Sequence, residues 1–302
     1  GLYVHIPFCK SICNFCPYCK VRYSAELCDR YIDSLIQEIH IVGSQHAEHR
    51  KATSLYFGGG TPALAANRIK EIVNALSEHF IITEGIGLEL HPDNVNVETL
   101  QMLKDAGVTK ISIGIQSFCD KYQKNLGRKK IDTAEMMSAL SAVSFETVSM
   151  DFIFALPGQT YDDLKSDIDT AFLLGANHVA IYPFIDFTFT ESPVTAMPKK
   201  DKRELLDAIT QYCLGKGYSR NSIWTFSSGT DANYSAMTRD NFLGFGCSAT
   251  SLFKEQFKIN TFDVDSYCER ICSGNLATSL TIRFTKRQRM VYWLFWTAYS
   301  TR

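Results

Sequence analysis

The chain has 302 residues, 45% of them apolar and 21% charged, and a formal net charge of −1. This ordinary globular mix excludes a disordered chain and a disulfide-stapled miniature, and it offers no global electrostatic case for nucleic acid or an anionic membrane as partner. The opening GLYVHIPFCK lacks a secretory leader pattern, and the longest apolar run, Met290–Tyr299, is half of the roughly 20 residues a spanning helix needs, so a buried helix and a cytoplasmic, reducing setting are expected.

Apolar, β-branched runs alternate with amphipathic runs up to about residue 185. Strands are predicted at Leu2–Ile6, Ser54–Phe57, Gly87–Leu90, Lys110–Ile115, Val148–Phe154 and His178–Pro183. Helices are predicted at Ala25–Ile41, Asn67–His79, Val97–Ala106, Ala134–Val143 and Tyr161–Leu174, with Asn96, Asp132 and Thr160 placed as N-caps. Six strands alternating with helices imply parallel pairing with crossovers, closed into a partial barrel or left open. Beyond about 190 the rhythm changes to a helix over Lys199–Leu214, a turn at Gly215–Gly217, short strand-like pieces, a loop at Ser227–Asp231, a strand over Ser279–Phe284 and an aromatic terminal helix. Two units are therefore expected, 1–190 and 191–302, the second a smaller α+β domain.

The chemistry-bearing residues gather where parallel strands end, the functional end of such folds. After the first strand stand Cys9, Cys13, Cys16 and Cys19, four of the ten cysteines within eleven residues. The first three read C-x3-C-x2-C. Three thiolates from one tight loop hold three irons of a 4Fe–4S cubane and leave the fourth open to a chelating ligand such as the amino and carboxylate groups of S-adenosylmethionine. The rivals are a zinc site, which wants a second ligand pair, a four-cysteine ferredoxin site of different spacing, and unpaired thiols. Cys19 is read as a bystander close to the substrate rather than a fourth ligand. Cys28, Cys119, Cys213, Cys268 and Cys272 read as ordinary thiols, while Cys247 stands apart in a glycine-rich turn. Gly58–Pro62 follows the second strand and lets backbone N–H groups approach a ligand, and Glu89 ends the third in an apolar context. His5 and His178 read as structural strand histidines.

With these residues in place the chain resembles the oxygen-independent coproporphyrinogen III oxidase family of radical S-adenosylmethionine enzymes, which includes related heme chaperones. The resemblance rests on LYVHIPFCKSIC-x2-C at 2–16, YFGGGTP at 56–62, LELHPDNV at 88–95, GVTKISIGIQSF at 107–118, LGR at 126–128, MDFIFALPGQT at 150–160, HVAIYPF at 178–184 and FLGFGCSAT at 242–250. It implies a partial (β/α)6 barrel with a family-specific C-terminal domain. It further implies cluster ligation by Cys9, Cys13 and Cys16, and S-adenosylmethionine contacts from Tyr3, Gly59, Gly60, Thr61, Glu89, Gln116, Arg128 and Asp151. Gly246 and Ala249 become candidates for a second S-adenosylmethionine, and Glu89 and Cys19 for catalytic roles.

The implied activity is cleavage of S-adenosylmethionine to a 5′-deoxyadenosyl radical that acts on an organic substrate, a tetrapyrrole or another flat ring, with a flavodoxin or ferredoxin as reductant. Trp224, Phe226 and Tyr234 could stack on that ring or pack in the core. Alternatives within the family are methyl or methylene transfer with two S-adenosylmethionine molecules, and non-catalytic heme carriage. The chain departs from the oxidase in spacing its fourth cysteine C-x2-C, and from the heme chaperones in lacking their His and Trp within 231–237.

Overall fold

The computed structural model describes residues 1–45, 50–185, 187, 196–229 and 240–300. Tyr234, the 231–237 segment and the boundary placed near 190 lie outside the described residues.

Six parallel strands form the centre: β1 (Leu2–Ile6), β2 (Leu55–Gly59), β3 (Ile86–Leu90), β4 (Lys110–Gln116), β5 (Thr147–Phe154) and β6 (His178–Pro183). They pair in consecutive order, each parallel to the next. Their side chains are buried almost throughout, the mark of a parallel sheet covered on both faces. The covering helices are α1 (Ala25–Gly43), α2 (Ala66–Ser77), α3 (Val97–Asp105), α4 (Asp120–Asn125), α5 (Thr133–Ala142) and α6 (Tyr161–Leu173). Every predicted strand and helix of this half is present, with ends within two residues of expectation. The three N-caps hold: the Asn96 and Asp132 carboxamide and carboxylate oxygens accept from the first-turn N–H groups, and Thr160 forms a reciprocal capping box with Asp163.

The later residues extend this sheet. After α7 (Lys199–Gly215), strands β7 (Ser219–Ser222) and β8 (Thr225–Ser227) run antiparallel and join beside β6, and β9 (Leu243–Phe245) pairs parallel to β1. The sheet thus reads β7-β8-β6-β5-β4-β3-β2-β1-β9. Its core is continuous with Phe226, Phe245, Cys247 and Tyr267 from the C-terminal part. Strands β10 (Thr250–Phe253), β11 (Gln256–Asn260) and β12 (Thr278–Arg283) form a small antiparallel sheet, with α8 (Val264–Cys272) packed on α1 and α9 (Lys286–Tyr299) at the end.

Residues 264–272, to which no element was assigned, are helical, capped by Asp263 and buried through Val264, Tyr267, Cys268 and Ile271. One expectation needs correction. The terminal aromatic helix forms, but none of its residues is buried. Tyr292 packs against Phe284, Arg289 donates to the Asp240 carbonyl and the Ile223 N–H donates to the Tyr299 carbonyl, while several of the helix's rings pack on one another. Met290, Val291, Trp293, Leu294 and Phe295 face outward.

Candidate active site at the carboxyl ends of the strands

The chain leaves β1 through Pro7 and pairs Phe8–Cys9 with Val21–Arg22 in a two-residue parallel ribbon that pins both ends of the cysteine loop. Cys9, Cys13 and Cys16 are free thiols, each partly exposed. Burial pushes Cys9 up to about 11 and Cys16 above the usual thiol range, so both carry protons until a metal displaces them. Thr61 Oγ lies 3.9 Å from Cys9 Sγ. The Cys19 thiol is turned out of this group, donating to the Phe262 carbonyl at 3.2 Å.

The glycine run packs directly under the loop. A Cβ on Gly60 would sit 2.6 Å from the Phe8 carbonyl oxygen, and one on Gly58 about 3 Å from Tyr3 and Glu89. Glycine is therefore required for this close approach. Glu89 accepts from Tyr56 Oη at 3.2 Å and from the Gly59 N–H at 3.3 Å. Burial, and then the nearby Asp151, push its carboxyl up to about 7. Asp151 accepts from Ser112 Oγ at 2.8 Å and Ser149 Oγ at 3.3 Å, and burial lifts it to about 6. Two partly buried carboxyls thus share a cleft, and their charged forms call for a cation.

Gln116 holds a left-handed backbone (φ 72°) at a bulge where β4 ends. The Arg128 guanidinium bonds the Gly114 carbonyl and lies over the Phe15 ring of the cysteine loop at 5.6 Å. Its Nε is buried without a hydrogen-bond partner, which leaves a donor for a bound acceptor. Tyr3 Oη meets His5 Nδ1 at 3.0 Å. Gly59, Gly60, Thr61, Glu89, Gln116 and Arg128 thus lie at or just beyond strand ends, as do Cys9, Cys13 and Cys16, while Tyr3 and Asp151 approach Glu89 from within β1 and β5. Gly246 and Ala249 are buried beside α1, Gly246 against Tyr31 and the His5 carbonyl. Phe226 is fully buried in the core, and Trp224 packs on Phe154.

Four contributors had no expectation attached. Ser112 and Ser149 were legible by period two, since Ser149 shares the strand face of Asp151. Tyr56 immediately precedes the glycine run. Tyr18, 66% exposed, sits in the cysteine loop with no pattern to betray it.

The donor set fits an iron–sulfur cluster. Cys9, Cys13 and Cys16 are free thiols on one loop, and among the described residues they do not crowd into the single-ion spacing that His5, Cys19 and Cys247 show.

Residues 3–171 match the radical SAM superfamily, and this chain belongs to it. Membership implies a 4Fe–4S cluster and S-adenosylmethionine. The chain is 31% identical to the heme chaperone HemW of Lactococcus lactis subsp. lactis (strain IL1403), an alignment covering 82% of this chain and 68% of the relative. It is 26% identical to the oxygen-independent coproporphyrinogen III oxidase of Pseudomonas aeruginosa, over 92% of this chain and 66% of that one. Among solved structures, coproporphyrinogen III oxidase (HemN) from Escherichia coli shares the fold with a TM-score of 0.88 at 22% identity, covering 99% of this chain and 75% of that one. The chain thus spans about two thirds to three quarters of the length of these relatives. Among the described residues no helix is long and apolar enough to cross a membrane.

Proposed function

We propose that this chain is a radical-forming enzyme that binds a 4Fe–4S cluster through Cys9, Cys13 and Cys16 and cleaves S-adenosylmethionine to act on a flat, tetrapyrrole-like substrate. The observation that carries the reading is the hydrogen bond of Cys19. Its thiol donates to the Phe262 carbonyl, which supports a loop with three cluster ligands rather than four. When bound, a cluster with an open iron supplies the electron that splits the sulfonium bond and yields the 5′-deoxyadenosyl radical.

The chain's own residues bind and orient. Gly58, Gly59 and Gly60 let the backbone approach the methionine end, and Glu89, once ionised, holds its amino or sulfonium charge. Arg128 offers its unpaired Nε–H to a carboxylate or ribose oxygen. Asp151, held by two serine hydroxyls, accepts from hydroxyl donors, and Tyr3 closes the floor beside Glu89. The tetrapyrrole class is supported by the relatives, which include coproporphyrinogen oxidases, heme chaperones and an anaerobilin synthase of Escherichia coli O157:H7. A flavodoxin or ferredoxin is the reductant class proposed.

The test is anaerobic reconstitution with iron and sulfide, addition of dithionite and S-adenosylmethionine, and quantification of 5′-deoxyadenosine. It should form with the parent chain and fall at least about 100-fold in Cys13→Ala, whereas Cys19→Ala keeps the cluster. S-adenosylhomocysteine as a co-product marks methyl transfer. Heme carriage is the second reading, favoured by the heme chaperones among the relatives. Stoichiometric heme binding to a cluster-loaded chain that releases no 5′-deoxyadenosine would replace the enzyme reading with it.

A further inference from the structure

His5, Cys19 and Cys247 come from β1, the end of the cysteine loop and the turn after β9, and they meet. One ligand atom from each lies within 4.8 Å of the other two. His5 and Cys247 are buried and Cys19 is partly so. The meeting is built rather than incidental. The Cys247 N–H donates to Tyr31 Oη at 2.9 Å, and Tyr31 donates in turn to the His5 carbonyl at 2.7 Å, so thiol and imidazole hang from one frame. The preceding Gly246 N–H donates to Glu38 at 2.7 Å. A Cβ on Gly246 (φ 98°) would sit 2.4 Å from Tyr31 Oη, so only glycine brings Cys247 this close to His5.

We propose that His5, Cys19 and Cys247 bind one soft divalent cation of the zinc class, separate from the iron–sulfur cluster. Two thiolates and an imidazole are the donor set that selects such an ion, and three protein ligands leave a fourth tetrahedral position open. Charge favours the site in its buried place: two thiolates neutralise a divalent cation, so the filled centre carries no net charge into the interior. Binding releases the protons of the two thiols, and His5 contributes a neutral nitrogen.

His5 also has its outer partners ready. Nδ1 faces Tyr3 Oη and Nε2 faces the Cys19 carbonyl, each at 3.0 Å, so whichever nitrogen takes the ion, the other keeps a hydrogen bond that fixes the ring. The cation would tie the end of the cysteine loop to the β9 turn. Through Tyr3 it would also reach the floor of the cleft beside Glu89. None of this depends on S-adenosylmethionine cleavage.

The test uses the full chain with Cys9→Ser, Cys13→Ser and Cys16→Ser, reduced and anaerobic, titrated with Co2+. One Co2+ per chain should give thiolate-to-cobalt charge-transfer bands and the intense d–d absorption of a tetrahedral centre, bleached by one equivalent of Zn2+. Adding Cys19→Ser or Cys247→Ser should weaken binding at least about 100-fold, whereas Cys272→Ser should change nothing. Cys247 is fully buried and its serine variant could misfold, so the partly exposed Cys19 carries the decision. A second cluster of ligating groups, His40, Glu78 and His79, has no thiol and cannot produce the charge-transfer bands. In the cluster-loaded parent chain, elemental analysis should find one zinc per chain beyond the iron, lost in Cys19→Ser. Absent bands, bands that survive both serine variants, or a Cys19–Cys247 disulfide persisting in the reduced chain would each overturn the site.

Discussion

Glu89 is the residue whose ionisation the cleft resists and a cationic ligand needs. Burial, with Asp151 close by, keeps its proton up to about pH 7. A cation bound there favours the carboxylate, so binding below pH 7 must release that proton. The affinity of the cluster-loaded chain for S-adenosylmethionine should therefore weaken by up to about tenfold per unit below pH 7 and level off above it. Glu89→Gln should weaken binding at pH 8 and flatten the profile. Calorimetric titration between pH 5.5 and 8.5 reads both, and a flat profile in the parent chain would remove Glu89 from contact with the ligand. At this scale much of the site was legible. Cysteine spacing, glycine run and strand-end carboxylate each name a chemistry from a few adjacent residues. Glu38 was not. It lies within an amphipathic helix where an acid reads as solvated, and its partner Asn260 lies 222 positions away.

Among the secondary elements, α1 packs on the C-terminal half of the chain, and Glu38 anchors it there. The carboxylate accepts from the Gly246 N–H, Asn260 Nδ2 and Tyr267 Oη, at 2.7 to 2.8 Å. Glu38→Ala leaves three buried donors without an acceptor. At about 1–3 kcal/mol each, the loss of stability in urea unfolding should reach about 3 kcal/mol or more. Tyr267→Phe removes one donor together with its bond and should cost only about 1 kcal/mol. Equal effects would show that the network does not converge on Glu38. The elements themselves were largely legible because strand and helix alternated with clean periods. Helix α8 carried the signal too, since Val264, Tyr267, Cys268 and Ile271 fall at helical spacing behind Asp263. Its nine residues lie between strand-like runs, and so short a helical period was left without an assigned element. The burial of α9 was not legible, because an apolar sequence states a need for contact and says nothing of where the contacting surface lies.

Across the whole molecule, the buried titratable groups oppose one another in their pH dependence, and the balance can be worked out. Burial raises Glu38 and Glu89 to about 7 and Asp151 and Asp167 to about 6. These four keep protons in the folded chain that the unfolded chain gives up near pH 4, so their contribution to stability falls as pH rises to about 6 or 7. His178 is lowered to about 4 by burial, and His91 likewise by burial and Arg128. Both are neutral when folded yet protonated in the unfolded chain below about 6.5, so they act in the opposite sense, removing stability as pH falls. Between about pH 4.5 and 6 the carboxyls outnumber the imidazoles by two protons, a slope of at most about 2–3 kcal/mol per pH unit. Between 6 and 6.5 two glutamates balance two histidines and the slope vanishes. Below about 4, Asp163, whose folded carboxyl lies under its ordinary value through its capping bonds, withdraws its support as it protonates. The metal-free chain should therefore be most stable near pH 4 to 4.5, lose stability through pH 5 and 6, and be weaker still at pH 7.5. Urea midpoints at pH 5.0, 6.0 and 7.5 test this, and a midpoint at 7.5 equal to that at 5.0 would show that these carboxyls reach water in the folded chain. Glu89→Gln should raise the midpoint at pH 7.5 while leaving that at pH 5.0 nearly unchanged, because only at the higher pH does the parent chain bury the charge. The same substitution thus stabilises the empty chain while weakening its hold on a cationic ligand, and a site whose carboxylate costs stability until the ligand arrives is one kept for binding rather than for the fold.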